Sequence, residues 1–171
     1  NFKNILCPGQ YRKEKFGKNL EEFLEFNRKA NFTIHISKKF NMNKNRNFLI
    51  NNFSENLDRK NYLKYLIFSD VIILPYNEND YKFRTSGIFF ESINFSKIIF
   101  VTKNTWFANE LKKNHLKELI VNDWSKFDIF KKLSKLNIKK INFKINIMKK
   151  KYLNFHNKYV FVKKLNKICE K

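Results

Sequence analysis

Two unbroken apolar runs constrain the fold of this chain more than any other feature. "VIILPY" (residues 71–76) and "KIIFVT" (residues 97–102) consist largely of β-branched and aromatic residues. Runs of this kind are typical of strands that are buried on both faces, as in a parallel sheet. Between them, residues 86–95 carry apolar side chains at helical spacing, as expected for a crossover helix. The segment therefore predicts a strand-helix-strand unit.

The same alternation of strand and helix patterns continues along the chain. Further strands are predicted at residues 2–7, 32–37 ("FTIHIS"), 47–52 ("NFLINN") and, more weakly, 117–123 ("KELIVND"). Helices are predicted at residues 20–27, 57–68 and 124–136. This order is typical of an α/β fold. We therefore expect a doubly wound, mostly parallel, Rossmann-like sheet of about six strands, with ligands at the carboxyl ends of the strands.

The C-terminal segment differs from the rest, and we divide the chain into a Rossmann-like domain at residues 1–138 and a basic helical segment at residues 139–171. Apolar residues there step by four and three among lysines: Ile141, Ile145, Met148, Tyr152, Phe155, Tyr159 and Val162. A long amphipathic helix that packs on the core is the favoured interpretation. A helix that lies on anionic lipid is the alternative.

The start of the chain suggests a piece of a larger protein. It begins at Asn1, without methionine, and its first residues already resemble a core strand. If a partner domain is absent, apolar side chains that would meet it are left uncovered. We expect Tyr152, Phe155 and Tyr159 to include such exposed side chains.

Charge and composition allow two classes of partner besides a small molecule. The chain has 36 Lys and Arg against 15 Asp and Glu, a formal net charge of +21. Such a charge is typical of proteins that bind nucleic acid or an anionic membrane. The excess is almost all lysine and accompanies abundant Asn, Ile and Phe, which favours genome composition as its cause. Because base recognition relies mainly on arginine, we do not expect nucleic acid as the partner, and peripheral membrane contact stays an open alternative.

Cysteine, histidine and acidic residues give no sign of a metal site. Cys7 and Cys169 stand far apart without metal-ligand spacing, which suits a reducing compartment. His35, His115 and His156 are scattered and are interpreted as structural or surface residues. No apolar run reaches the roughly 18 residues of a membrane span, and no secretory signal stands at the start. We predict a cytoplasmic protein, with the membrane surface as an alternative location.

Two loops carry residues that suit a phosphate ligand. "PGQYRKEKFG" (residues 8–17) follows the first predicted strand and contains Gly9, Arg12 and Lys15. "RTSG" (residues 84–87) stands where the helix after "VIILPY" begins, and Glu91 follows one turn later. Glycine allows a ligand close to the backbone, and a helix N-terminus attracts phosphate. Since both loops follow parallel strands, we predict a nucleotide-diphosphate site where they meet.

At these residues the sequence resembles the C-terminal, donor-binding half of GT-B glycosyltransferases of the retaining group 1, or family 4, branch. The resemblance covers residues 2–136 and is strongest at 70–106, with "SDVIILPYNENDYKFRTSGIFFES" at its centre. It implies that Arg12 and Lys15 hold the donor pyrophosphate and that Glu91 binds the ribose. It further implies that the turn before the helix binds the phosphates through Thr85, Ser86 and Gly87. No cofactor or metal is implied, and the acceptor-binding N-terminal domain is expected as a missing partner.

The sequence departs from this family at one informative position. Members often carry a second glutamate on the N-terminal side of the ribose-binding one, and Phe83 stands at that spacing. Glu78 or Asp80 in the same loop are candidate substitutes, and no residue is identified as catalytic. The implied reaction is retaining sugar transfer from a nucleotide-diphosphate sugar to an acceptor hydroxyl. The isolated chain is expected to bind the donor but not to catalyse the transfer. Another nucleotide-binding α/β protein and a non-enzymatic basic module are the alternatives, although the first loop lacks G-x-G-x-x-G.

Overall fold

Six parallel strands form one sheet in the computed structural model, which describes residues 2–37, 46–54, 56–155, 157, 159, 162 and 163. The strands are β1 (Asn4–Leu6), β2 (Thr33–Ser37), β3 (Leu49–Phe53), β4 (Val71–Leu74), β5 (Ile98–Thr102) and β6 (Ile120–Val121). Every neighbouring pair is parallel. The predicted Rossmann-like sheet of about six strands is therefore confirmed.

The order of the strands, β3-β2-β1-β4-β5-β6, contains one reversal of direction. The chain moves outward from β1 to β3 and then returns to place β4 on the other side of β1, where Ile5 pairs with Val71 and Leu6 with Ile72. Connections that leave β1 and β4 consequently diverge, and a crevice opens at the carboxyl ends of these strands. The topology therefore fixes the place where a ligand is expected.

Eight α-helices are seen in the described residues. They are α1 (Lys13–Phe16), α2 (Asn19–Phe26), α3 (Arg59–Phe68), α4 (Glu78–Tyr81), α5 (Gly87–Asn94), α6 (Trp106–Lys113), α7 (Ile129–Lys135) and α8 (Ile138–Phe155). Side-chain caps define several starts, since Asp58, Thr105 and Asp128 each accept a hydrogen bond from a backbone N–H three residues on.

Two parts of the helical prediction differ from the structure. Helix α6 was not predicted, although the Thr105 cap and the spacing of Phe107 and Leu111, both buried, signal it. The helix predicted at residues 124–136 is instead a short 3-10 turn at Trp124–Lys126 followed by α7. A cap at Asp128 separates the two, because its carboxylate accepts the Lys131 N–H and starts a new helix.

The core lies on both faces of the central strands. Every residue of β4 and β5 is buried, as the two unbroken apolar runs predict. Edge strand β3 is mostly exposed and has the polar sequence "LINNF". Burial on both faces is thus limited to the middle of the sheet, where the helices cover it.

Helix α8 packs on the core through one side. Ile141, Ile145 and Met148 are buried, and the helix contacts α5 and β5. The favoured interpretation of the apolar stripe as a packing face is confirmed for these residues. Further along, Phe155 and Tyr159 are exposed, as expected.

The two helices α5 and α8 run in opposite directions. Asn146 accepts a hydrogen bond from Ser96, just after α5, whereas the Tyr152 ring contacts Phe90, in the first half of α5, at 4.9 Å between centroids. Since α5 starts at the carboxyl edge of the sheet, α8 ends on that edge. His156 and Cys169, named in the sequence analysis, lie outside the described residues. None of the described helices is long and apolar enough to cross a membrane.

Candidate functional site

The two predicted loops meet at the reversal in strand order. A Cβ atom built on Gly9, after β1, would lie 3.2 Å from Cδ1 of Ile88, in the first turn of α5. It would also lie 2.6 Å from Nζ of Lys15. The structure therefore brings Gly9 and Lys15 next to the start of α5, although these segments are far apart in the sequence.

Lys15 is the most unusual residue of this region, because only 8% of it is exposed. Its ammonium group lies 4.4 Å from the ring centroid of Tyr76 and 5.1 Å from that of Phe16. Within the described chain no hydrogen-bond acceptor or carboxylate pairs with it. Burial lowers the pKa of Lys15 to about 8; Cys7 opposes this change and the positive charge of Arg12 adds to it. A buried cation without a counter-ion is costly and is typical of functional sites.

Gly9 keeps the space around the Lys15 ammonium group open. Its φ of +91° is a conformation that residues with side chains rarely adopt. A methyl group at this position would also press on Nζ at 2.6 Å. The backbone conformation therefore requires glycine here, and a methyl group would in addition displace the Lys15 ammonium group.

The start of α5 presents unpaired backbone donors. Ser86, the residue before the helix, is extended and makes no side-chain cap. Among the described residues, the N–H groups of Gly87 and Ile88 donate to no acceptor. A Cβ on Gly87 would have no atom within 4 Å. Glycine at this position is thus required neither by strain nor by packing within the described chain, and the two N–H groups stay available to a ligand.

Two tyrosines that the sequence analysis did not select connect these groups. Tyr76 is fully buried; its hydroxyl lies near Ser86 and makes no well-formed hydrogen bond within the part of the chain described. The Tyr81 ring lies 4.6 Å from that of Tyr76, and the guanidinium of Arg84 lies 5.5 Å from the Tyr81 ring. The exposed Arg12 also acts electrostatically on Tyr81. Lys15, Arg12 and Arg84 therefore surround one aromatic cluster.

Glu91 has a partner that the sequence did not indicate. Its Oε1 accepts a hydrogen bond of 2.6 Å from the guanidinium of Arg59, at the start of α3. The buried Tyr62 hydroxyl faces the same carboxylate; burial first, and Glu91 second, raise the pKa of Tyr62. The ion pair joins α3 to α5 at the carboxyl edge. No local pattern predicts this pair, because its two members come from different strand-helix units.

A polar cleft lies beside the aromatic cluster. It has a volume of about 390 Å³ and lies at the carboxyl ends of β4, β5 and β6. Its lining includes Gly17, Asn19, Asn77, Glu78, Lys103 and Asp123. The Asn77 N–H donates to the Lys15 carbonyl at 2.7 Å, which fixes the cleft next to α1.

The two acidic residues considered as substitutes for a family glutamate both have amide partners. Glu78 accepts a hydrogen bond of 3.0 Å from Asn104 at the cleft, and Asp80 accepts one of 3.2 Å from Asn77. Phe83, at the family's glutamate position, is exposed. Of the histidines, His35 packs on Tyr65 at 5.3 Å, and His115 is exposed after α6, in agreement with structural or surface roles.

Comparison with known protein families and curated sequences finds no match. No family model matches the chain, and no curated protein is significantly similar to it. The fold class and the geometry of the site are therefore the grounds for a functional assignment.

Proposed function

We propose that this chain is the nucleotide-sugar-binding domain of a retaining glycosyltransferase, with the donor diphosphate held between the loop after β1 and the start of α5. The observation that carries this proposal is the unpaired ammonium of Lys15, a residue only 8% exposed, beneath Gly9 and beside the uncapped N-terminus of α5. A diphosphate would supply the missing negative charge and accept hydrogen bonds from the N–H groups of Gly87 and Ile88. The resemblance to GT-B donor domains supports the same placement.

The reaction requires stabilisation of the leaving group. The bond from the sugar anomeric carbon to the diphosphate oxygen breaks and that oxygen keeps the electron pair. The oxygen of the acceptor hydroxyl bonds to the anomeric carbon, and its proton passes to the departing diphosphate. Negative charge therefore grows on the diphosphate, and fixed donors lower the barrier. Lys15, with the exposed guanidinium groups of Arg12 and Arg84, supplies positive charge around that position. Removal of one such donor typically costs on the order of 3 kcal/mol in the barrier.

The remaining parts of the donor have suitable neighbours on either side. Ribose hydroxyls would bind Glu91, since Arg59 bonds Oε1 and thereby orients the carboxylate. The sugar would lie toward the polar cleft, where the amide of Asn77 and the carboxylates of Glu78 and Asp123 suit a ligand rich in hydroxyl groups. A second domain would complete the water-excluding wall, so this chain alone binds donor without efficient turnover. We assign the activity to the cytoplasm, because a reducing compartment that contains nucleotide sugars suits both the donor and a free cysteine.

Gly87→Val tests the proposal directly. A Cβ atom at this position has no tertiary neighbour within 4 Å and the backbone is not in a positive-φ conformation, so the variant should fold normally. A phosphate at the α5 N-terminus would meet this side chain, and we expect affinity for a nucleoside diphosphate to fall at least about tenfold, or 1.4 kcal/mol. The measurement is calorimetric titration with UDP, GDP and ADP, and with the matching nucleosides.

Ser134→Val, at an exposed position of α7, is the matched control and should bind like wild type. Raising the salt concentration separates this function from nucleic-acid binding, which weakens steeply with ionic strength. Absence of nucleoside-diphosphate binding to the wild type, or equal binding by Gly87→Val, would refute the donor-site assignment.

A further inference from the structure

The side of α8 that faces away from the core carries exposed apolar residues. With about 3.6 residues per turn, Phe143 and Ile147 fall opposite the buried Ile141 and Ile145. Phe143 is 67% exposed and Ile147 40%. A helix that served only to cover α5 and β5 would need no apolar side chains there. We call this side, with its flanking lysines, the outer face of α8; its members are Lys139, Lys140, Phe143, Ile147, Lys150 and Lys151.

All the charged side chains of α8 are positive. Residues 138–155 contain six lysines and no acidic residue. Lys151 donates to Asn114 at 3.2 Å, so the turn after α6 lies against this helix. The last turn of α6 and the segment after it add two further exposed lysines, Lys112 and Lys117.

The nearest acidic groups do not offset this charge. Glu110 pairs with Lys113 at 2.7 Å, and Glu118 pairs with Lys144 at 3.2 Å. Each carboxylate is thus matched by a lysine of its own. The exposed lysines of the outer face therefore present an uncompensated positive surface around two apolar side chains.

We propose that the outer face of α8 docks on an anionic lipid surface. Aligned lysines attract acidic headgroups, and exposed Phe and Ile side chains enter the boundary between headgroups and acyl chains. A nucleic acid would be attracted by the lysines alone and would gain little from the aliphatic Ile147. The proposal does not depend on the donor site, and it places the membrane contact on the side opposite the packing stripe.

The test is co-sedimentation of the chain with lipid vesicles. Vesicles of phosphatidylcholine alone are compared with vesicles in which about one third of the lipid is phosphatidylserine. We expect binding only to the anionic vesicles, and we expect Phe143→Ser with Ile147→Ser to weaken it at least about tenfold because apolar area is lost from the interface. The matched control is Ile67→Ser with Phe68→Ser on α3, which are 52% and 75% exposed and should leave binding unchanged.

A second set of variants tests the charge. Changing Lys139, Lys140 and Lys150 to Gln should weaken binding by about fivefold per lysine, since each lysine near an anionic surface contributes about 1 kcal/mol. All these side chains are exposed, so circular dichroism should show an intact fold. Equal vesicle binding by the Phe143 and Ile147 double variant, or equal loss in the α3 control, would overturn the proposal. Tighter binding to a single-stranded oligonucleotide than to vesicles, insensitive to Phe143 and Ile147, would overturn it as well.

Discussion

Replacement of Lys15 by methionine should stabilise the fold while it removes ligand binding. Burial lowers the pKa of Lys15 from the ordinary 10.5 to about 8. At neutral pH Lys15 is still protonated in the folded state, and burial of this charge lowers the free energy of unfolding by about 3 kcal/mol. Methionine has a similar length, carries no charge and packs well against aromatic rings such as those of Tyr76 and Phe16. We expect Lys15→Met to raise the free energy of unfolding at pH 7 by about 2–3 kcal/mol.

The pH dependence of stability gives a sharper signature than stability at one pH. Because the folded-state pKa of Lys15 is lowered, the unfolded chain binds more protons between about pH 8 and 10.5. The Lys15 contribution therefore makes the wild type more stable as the pH rises through this range. Cys7 acts in the opposite sense, since burial raises the pKa of its thiol to about 12. Subtracting the curve of Lys15→Met from that of wild type removes the part of the Cys7 contribution that comes from burial of the thiol, which both proteins share.

Urea unfolding followed by circular dichroism, repeated from about pH 7 to pH 9.5, provides the measurement. Lys13→Met is the matched control, because Lys13 is on the same helix but exposed, and its replacement should change stability by less than about 0.5 kcal/mol. Binding of UDP should be lost in Lys15→Met and kept in Lys13→Met. A less stable Lys15→Met with the pH dependence of wild type would refute the assignment of Lys15 as a buried cation. Unchanged UDP binding would refute its role in the donor site.

Four further outcomes follow from the same geometry. Gly9→Ala should cost about 1–2 kcal/mol of stability, because of its positive φ and the contact with Nζ of Lys15, and should weaken UDP binding; an unchanged melting temperature would contradict this. Arg12→Ala should weaken UDP binding by about 1.5–3 kcal/mol in calorimetry without a change in melting temperature, because Arg12 is exposed. The affinity of wild type for UDP should fall up to about tenfold per pH unit above about pH 8, as the free protein loses the Lys15 proton, and a flat profile to pH 9 would argue against it. Glu91→Gln should weaken uridine and UDP binding by the same factor, since the ribose is common to both; loss restricted to UDP would place Glu91 away from the ribose.

The central sheet could be predicted from the sequence because its signal is local. Strands β4 and β5 are buried on both faces, so all their residues except Thr102 are apolar and no knowledge of their neighbours is needed. Helix α6 has a weaker signal, because it is short and its buried residues, Phe107, Ala108 and Leu111, form no continuous apolar run. The break at Asp128 was missed for a similar reason, since a single capping residue interrupts an otherwise continuous apolar pattern.

The sequence predicts where the candidate site lies, but not which of its residues is buried at its centre. Parallel strands place the loops after β1 and β4 at one edge, which is why Gly9, Lys15 and Gly87 could be named together. Nothing local distinguishes Lys15 from Lys13, two residues earlier. In the structure one is buried against Tyr76 and the other is exposed.

That difference is decided by tertiary structure for a physical reason. The cost of burying a charge depends on which atoms replace water around it. Besides the neighbouring Phe16, those atoms come from Tyr76, after β4, and from Gly9, after β1. The Arg59–Glu91 ion pair follows the same rule, since its two members belong to helices that meet only when the sheet forms. The periodicity of apolar residues in the sequence determines the α/β fold and the edge of the sheet at which a ligand is expected. Packing of distant segments alone decides which of several lysines becomes the buried cation.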